Sequence, residues 1–411
     1  MARTLLASLV VLFVVPMVIA QPTTAPAGYG GSWTEWSKAT GDWGGARTAL
    51  ADKGITLDWG ITQIVQENMH GGADTNSAIK YSGSSSLELK LDTGKMGLWP
   101  GGTFVFHGEP RWGRGINRFV GSLMPANMDA LMPGGDDSCE MTLSEFFYQQ
   151  VLFEGKLVLL AGKLDGSRAF DTNMFANNEE TQFMNVALRN YPMIPQFIPY
   201  TTLGIGIVFN PFEWWSIRTA VVDSDGSATR TGFDTAFHGD ANTSVMHEWD
   251  FTVKPFGQLG HQRVAMITSC KDTPTYTGGM QNCNLAVLYN FDQYLWTESE
   301  GSDQGVGIFG RFGWADKDVN PVEYFYSLGV SAKGLIPTRD RDTCGLGWYF
   351  GNASNQLAPA GIVQESGIEM YYSIEVFPWL HISPDFQIIC NPGGGNADTA
   401  LVGGVRFQMD L

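Results

Sequence analysis

The sequence predicts an all-β protein, a transmembrane antiparallel β-barrel of about 16 strands with a short N-terminal helix. Three observations predict it. Apolar and polar side chains alternate along segments of about ten residues, the length that crosses a bilayer as a tilted strand. Connections between these segments are short at one end and long at the other. No later stretch is uniformly apolar enough for a membrane helix.

The N-terminus reads as a secretory signal over residues 1–20. Arg3 supplies the positive start, Leu5 to Val15 the apolar stretch, and Val18-Ile19-Ala20 the small-residue spacing for cleavage before Gln21. An uncleaved anchor is the competing reading, but the run is short and Pro16 interrupts it. Residues 21–54 form a linker and a short helix. Asp42–Lys53 carries good helix formers in Ala46, Ala49, Leu50 and Ala51, with Asp42 as N-cap and Gly54 as stop. The helix is expected at the short-turn end, near or inside the barrel mouth.

Residues 55–411 are read as the barrel. Strand-like segments fall at 55–66, 79–93, 102–110, 141–154, 156–165, 201–210, 214–223, 245–256, 261–270, 283–297, 305–315, 321–333, 342–350, 366–377, 379–390 and 401–411. Their even number suits a single-chain bacterial barrel. Segments with even ordinals end in short turns such as Glu154-Gly155 and Phe377-Pro378. Odd ones lead into the long connections Arg111–Glu140, Gly166–Tyr200 and Ser224–Ser244. A soluble sandwich has no reason to sort its loops by parity.

Successive strand side chains point to opposite faces. Ile368, Met370, Tyr372, Ile374 and Val376 therefore face out, and Glu369, Tyr371, Ser373 and Glu375 face in. Leu87, Leu89 and Leu91 face out against Glu88, Lys90 and Asp92. In the last segment Val405, Phe407 and Met409 oppose Arg406, Gln408 and Asp410. An interior with ions of both signs is expected to be wet, since unpaired charge in a dry core costs several kcal/mol. Phe146 and Phe147 are adjacent, so one must face inward or the strand must bend. Trp99, Trp214, Trp215 and Trp379, near strand ends, suit an interfacial girdle.

A net charge of −17 argues against nucleic acid as a partner, which needs a basic face. The five cysteines form no Cys-x-x-Cys pair, so a zinc site has little support. Cys270 and Cys283 bracket a Gly-containing stretch, and whether they form a loop disulfide stays open. No P-loop, nucleophile elbow or His-Glu-x-x-His is present. Same-face carboxylates such as Glu369 and Glu375, or Glu248 and Asp250, are read as lumen charges rather than as an acid–base pair, so no enzyme is expected.

Several motifs, in chain order, resemble one family. Gly41-Asp42-Trp43-Gly44-Gly45 with Arg47 is similar to the opening of carbohydrate-selective porins of the OprB type. Gly162-Lys163-Leu164-Asp165, Phe170-Asp171, Phe175-Ala176-Asn177 and Gln182-Phe183-Met184-Asn185 resemble its central motif. Pro378-Trp379-Leu380, Pro384-Asp385-Phe386-Gln387 and Asn391-Pro392-Gly393-Gly394 resemble its C-terminal signature. The resemblance implies a sixteen-stranded barrel in the outer membrane, surrounded by its lipids, that admits sugars by diffusion without a cofactor. The chain departs from the pattern of outer-membrane barrels by ending in Leu411 rather than an aromatic residue.

A porin selects by pore diameter and by the groups that line it. Two long loops are candidates to form the constriction. One carries Arg111, Trp112, Arg114 and Arg118, a basic cluster in an acidic chain; the other carries Arg168, Asp171 and Asn173. Glu369 and Glu375 join them as lumen carboxylates. The bland reading of each loop residue is a solvated surface position. Two other readings compete: a general or cation-preferring porin on the same barrel, and an exported soluble carbohydrate-binding protein. The sequence leaves monomer and homo-oligomer open.

Overall fold

The computed structural model describes residues 29, 31–236, 238 and 242–411; the expected secretory signal lies outside the described residues. Sixteen antiparallel strands close into one barrel. They are β1 (Ile55–His70), β2 (Ile79–Asp92), β3 (Gly102–Gly113), β4 (Glu140–Leu152), β5 (Leu157–Asp165), β6 (Thr201–Phe212), β7 (Trp215–Asp223) and β8 (Thr243–Val253). Then follow β9 (Gly260–Ser269), β10 (Asn284–Thr297), β11 (Gly305–Ala315), β12 (Val322–Lys333), β13 (Thr343–Ala353), β14 (Gln364–Phe377), β15 (Leu380–Cys390) and β16 (Ala400–Asp410). Each pairs with its chain neighbours, and β1 closes on β16 from Gly60↔Asp410 to His70↔Leu401. Closure removes every sheet edge, which the bilayer demands because no water is there to satisfy unpaired backbone groups.

The face assignments hold where the strands are regular. Leu328, Val330, Ile368, Met370 and Phe407 are exposed on the outer wall, whereas Ser327, Glu369 and Arg406 are buried inside. At one short turn Phe212, Trp214, Trp215 and Phe251 stack into an aromatic group, as an interfacial girdle requires. Trp99 is exposed at another. Trp379 departs from the expectation. It is buried against Trp33, 4.3 Å between rings, and its indole N–H donates to the Trp33 carbonyl at 3.1 Å.

The short helix α1 spans Ala46–Asp52, shorter than expected, and Gly45 rather than Asp42 is its N-cap. Asp42 acts from farther out: its carboxylate accepts from the amide and hydroxyl of Thr48, both at 2.9 Å. Arg47 stitches the helix to the barrel's short-turn end by donating to the carbonyls of Leu57 at 3.1 Å and Leu411 at 3.0 Å.

A bulge resolves the adjacent phenylalanines. The β3–β4 register slips at His107/Gly108, so one residue, Ser144, is left without a partner. Such an extra residue reverses the facing of everything beyond it. Glu145 and Phe147 therefore point inward, where Phe147 packs with Val105, Val158 and Leu160. Phe146 points outward.

The uniformly wet interior needs correction. Connections 114–139 and 166–200 both fold back into the barrel, and much of the inner wall is built apolar to receive them. Phe183, Leu188 and Met193 of the longer loop pack with Met246, Ile267 and Phe325 of the strands. Inner-wall glycines provide the seats. A Cβ on Gly307 would lie 2.0 Å from the Phe175 ring, and one on Gly347 2.7 Å from Leu188. The spaced glycines at 345, 347 and 351 thus make room for the loops.

The connection 224–242 takes another course. Lys163 is paired with Leu203, whose strand faces lipid through Ile205 and Ile207, so its side chain lies on the outer wall. There the ammonium is fully covered and donates to the carbonyls of Ala228 at 2.7 Å and Arg230 at 2.6 Å. Phe233 stacks on the outward Phe146. This loop drapes over the outside of the rim.

Candidate functional site

The apolar contacts of the longer loop lie mainly on β7–β14, and the inner faces of β1–β4 carry charged groups instead. There the register sets a row of titratable residues one per strand. Asp58 stands opposite Glu88, Glu88 opposite His107, and His107 opposite Glu145. Glu145 is farthest from the short-turn end of its strand and Asp58 nearest, so the row descends towards that end. Like charges directly opposite each other are destabilising. The Asp58–Glu88 pair therefore needs cations, and the fold supplies them.

Arg168 reaches the row from the first turn of the long inward loop. Its Nη1 donates to Glu88 Oε2 at 2.6 Å, its Nε lies 2.8 Å from Glu145 Oε2, and its Nη2 lies 3.1 Å from His107 Nδ1. The side chain keeps 27% of its surface exposed to the lumen. Burial opposes its charge, but the carboxylates of Glu145 and Glu88 outweigh that and raise its pKa above the usual arginine range. Lys90 contacts Glu88 from below at 2.5 Å.

Farther along, the same loop presents Glu179 and Glu180 towards β16. Glu179 pairs with Arg189, and its carbonyl accepts from Arg406 at 2.7 Å. Glu180 sits deep in the barrel, and burial, then the carboxylates of Glu179, Asp129 and Asp410, push its carboxyl up to about 8. Burial likewise carries Asp129 of the other inward loop to about 6, although the Ser84 hydroxyl donates to it at 2.5 Å.

The remaining sequence candidates take other places. Arg111 faces inward but is buried within its own loop, donating to the Gly135 carbonyl. Trp112 points to the outer wall, where its indole N–H donates to the Tyr81 hydroxyl at 3.0 Å; it does not line the pore. Arg114 and Arg118 lie on the loop's exposed surface, both paired with Asp137. Asp171 and Asn173 are anchors. Asp171 accepts from Arg311 at 2.7 Å, Asn290 at 2.6 Å and Asn190 at 2.9 Å, while Asn173 donates to Asn290 at 2.8 Å. Glu369 is also an anchor, accepting the amides of Met184 at 2.6 Å and Asn185 at 3.0 Å. Two pleat repeats above it, Glu365 holds the other loop through the amides of Leu123 at 2.7 Å and Met124 at 3.1 Å. Glu375 lies at the short-turn mouth, 2.9 Å from Arg341.

Sequence reasoning missed Glu145, His107, Glu179, Glu180 and Asp58. Alternation alone marks Asp58 as inward, but the bulge at Ser144 hides Glu145. Among the described residues no cluster of His, Cys, Asp or Glu suits a metal ion.

Comparison with known proteins agrees with this architecture. Residues 76–411 match the family described as carbohydrate-selective porin, OprB family. Porin B of Pseudomonas aeruginosa is 22% identical over 90% of this chain and 90% of its own. Porin AaxA of Chlamydia pneumoniae is 22% identical over 79% of this chain and 74% of its own. The high-pH structure of Pseudomonas putida OprB superposes with a TM-score of 0.80 at 21% identity, covering 93% of this chain and all of that one.

Proposed function

The chain belongs to the OprB family of carbohydrate-selective porins, and on that premise we propose that it selects sugars where Arg168 faces the row from Asp58 to Glu145. The protein is an outer-membrane channel through which sugars diffuse passively. Mono- and small oligosaccharides are neutral, so selection rests on several weak, well-placed hydrogen bonds that still let the solute leave. The arginine fork is the observation that carries this reading. Its nitrogens are held by Glu88, Glu145 and His107, so the guanidinium keeps one orientation while part of it faces the path. A pre-oriented donor set facing acceptors across a narrow gap suits hydroxyl-rich solutes.

No catalytic role is assigned. The acid–base candidates Glu248 and Asp250 are both held by Arg218 at 2.7 Å and serve the wall. The competing reading, a general or cation-preferring porin, draws on the acidic balance and on Glu179 and Glu180. Swelling of liposomes containing the protein separates the two. Monosaccharides are expected to enter faster than amino acids of similar size. Entry ranked by size alone would make this a general porin.

A further inference from the structure

Below the constriction, Asp58 is the loosest charged group on the path. Its side chain is 43% exposed, the largest exposure in the row. Lys38, from the segment ahead of α1, brings its ammonium to 3.4 Å from Oδ1, and Lys90 stands 3.9 Å from Oδ2. Both separations are longer than a good charged hydrogen bond of about 2.7–2.9 Å. The contrast with Arg168 decides the role. Around Arg168 three nitrogens are held at 2.6–3.1 Å, whereas Asp58 offers two acceptor oxygens between two ammoniums with hydrogens to spare. Adjacent hydroxyls of one sugar ring can accept from an ammonium and donate to the carboxylate at once.

The setting is costly unless used. Asp58 directly opposes Glu88 in the β1–β2 ladder, and Asp410 adds a third carboxylate nearby, opposite Gly60. Like charges directly opposite each other are destabilising, and the ammoniums of Lys38 and Lys90 offset that repulsion.

We propose that Asp58, Lys38 and Lys90 form a second sugar subsite on the short-turn side of the constriction, reached by solutes after they pass Arg168. This deepens the sugar-channel reading and rests on it. The subsite binds through vicinal hydroxyls and takes neutral pyranoses. It uses a residue from outside the barrel strands, so the N-terminal segment belongs to the transport path.

The test uses the full mature chain in planar bilayers, with D-glucose or maltose added to one side and binding read from sugar-induced current noise. Wild type is expected to bind from both sides. D58N and K38M should weaken binding from the short-turn side by roughly two- to tenfold, the worth of one hydrogen bond, and leave binding from the long-loop side nearly unchanged. D58E separates contact from field, since it keeps the charge but moves the carboxylate by one methylene. A subsite loses affinity in D58E as well; a purely electrostatic role leaves it like wild type and overturns the proposal. Unaltered binding in D58N overturns it too. Absence of sugar-induced noise from either side of the wild type would instead defeat the sugar-channel reading itself.

Discussion

Arg168 concentrates the consequences at the scale of the residue, because three partners depend on it. Arg168→Ala should reduce the ratio of monosaccharide to amino-acid entry by roughly two- to tenfold, measured by liposome swelling. Arg168→Lys should recover little of that ratio, since a single ammonium cannot reproduce the fork. Full recovery by lysine would show that charge alone matters. Glu180 makes a pH prediction. Its carboxyl is raised to about 8, so it is neutral at pH 7 and ionises as pH rises through that value. The narrow path then gains a negative charge beside Glu179. Cation over anion permeability, read from reversal potentials, should therefore step up near pH 8 in wild type and stay flat in Glu180→Gln. A step of the same size in the variant would assign the titration elsewhere.

At the scale of the element, the strand wall predicts sharply different costs for its two faces. Met370 lies mid-strand on the lipid side of β14. Met370→Arg should cost about 2–4 kcal/mol at the bilayer midplane, read from denaturant unfolding in lipid. Glu375→Gln, on the inner face near the mouth, should leave the unfolding curve in place and shift ion selectivity. Equal effects would defeat the face assignment. The hairpin beyond β9 makes a second prediction. Cys270 and Cys283 are free and exposed, one step beyond the Ser269↔Asn284 pair and just before the Thr273↔Gln281 pair. The Cys270 amide donates to the Thr243 carbonyl on the opposite side, and both cysteines stand at the base of the same short hairpin. A disulfide needs Cα atoms about 4.4–6.8 Å apart, which closing of this hairpin base would provide. Mild oxidation should remove two thiols without adding mass from a second chain, and Cys270→Ser should prevent it.

For the whole molecule, the parity of the connections predicts an orientation with the long loops outside the cell. Tags inserted at Asp225–Gly226 or at Asn396 should be reached by antibody on intact cells, and a tag at Gly257–Leu259 should not. Reversed labelling would invert the barrel. The two infolded loops convert a wide cylinder into a narrow path, and clamps from β14 hold both of them through Glu365 and Glu369. Selectivity thus depends on strands that the solute does not touch.

The alternation of side chains, the parity of loop lengths and the absence of a membrane helix determined the barrel from sequence alone. A bilayer leaves the backbone few solutions, and each strand writes its two faces into a period of two. The same reasoning set Glu88 and Lys90 inward. Tertiary structure decided the site. Alternation tells inside from outside but not which inward residues meet: only the register lines up Asp58, Glu88, His107 and Glu145, and only the Ser144 bulge turns Glu145 towards Arg168. Loop residues carry no such period. Arg168 and Arg111 look alike in the sequence, yet one faces the path and the other is spent inside its own loop, because the loops' course is set by glycine seats and carboxylate clamps scattered over distant strands.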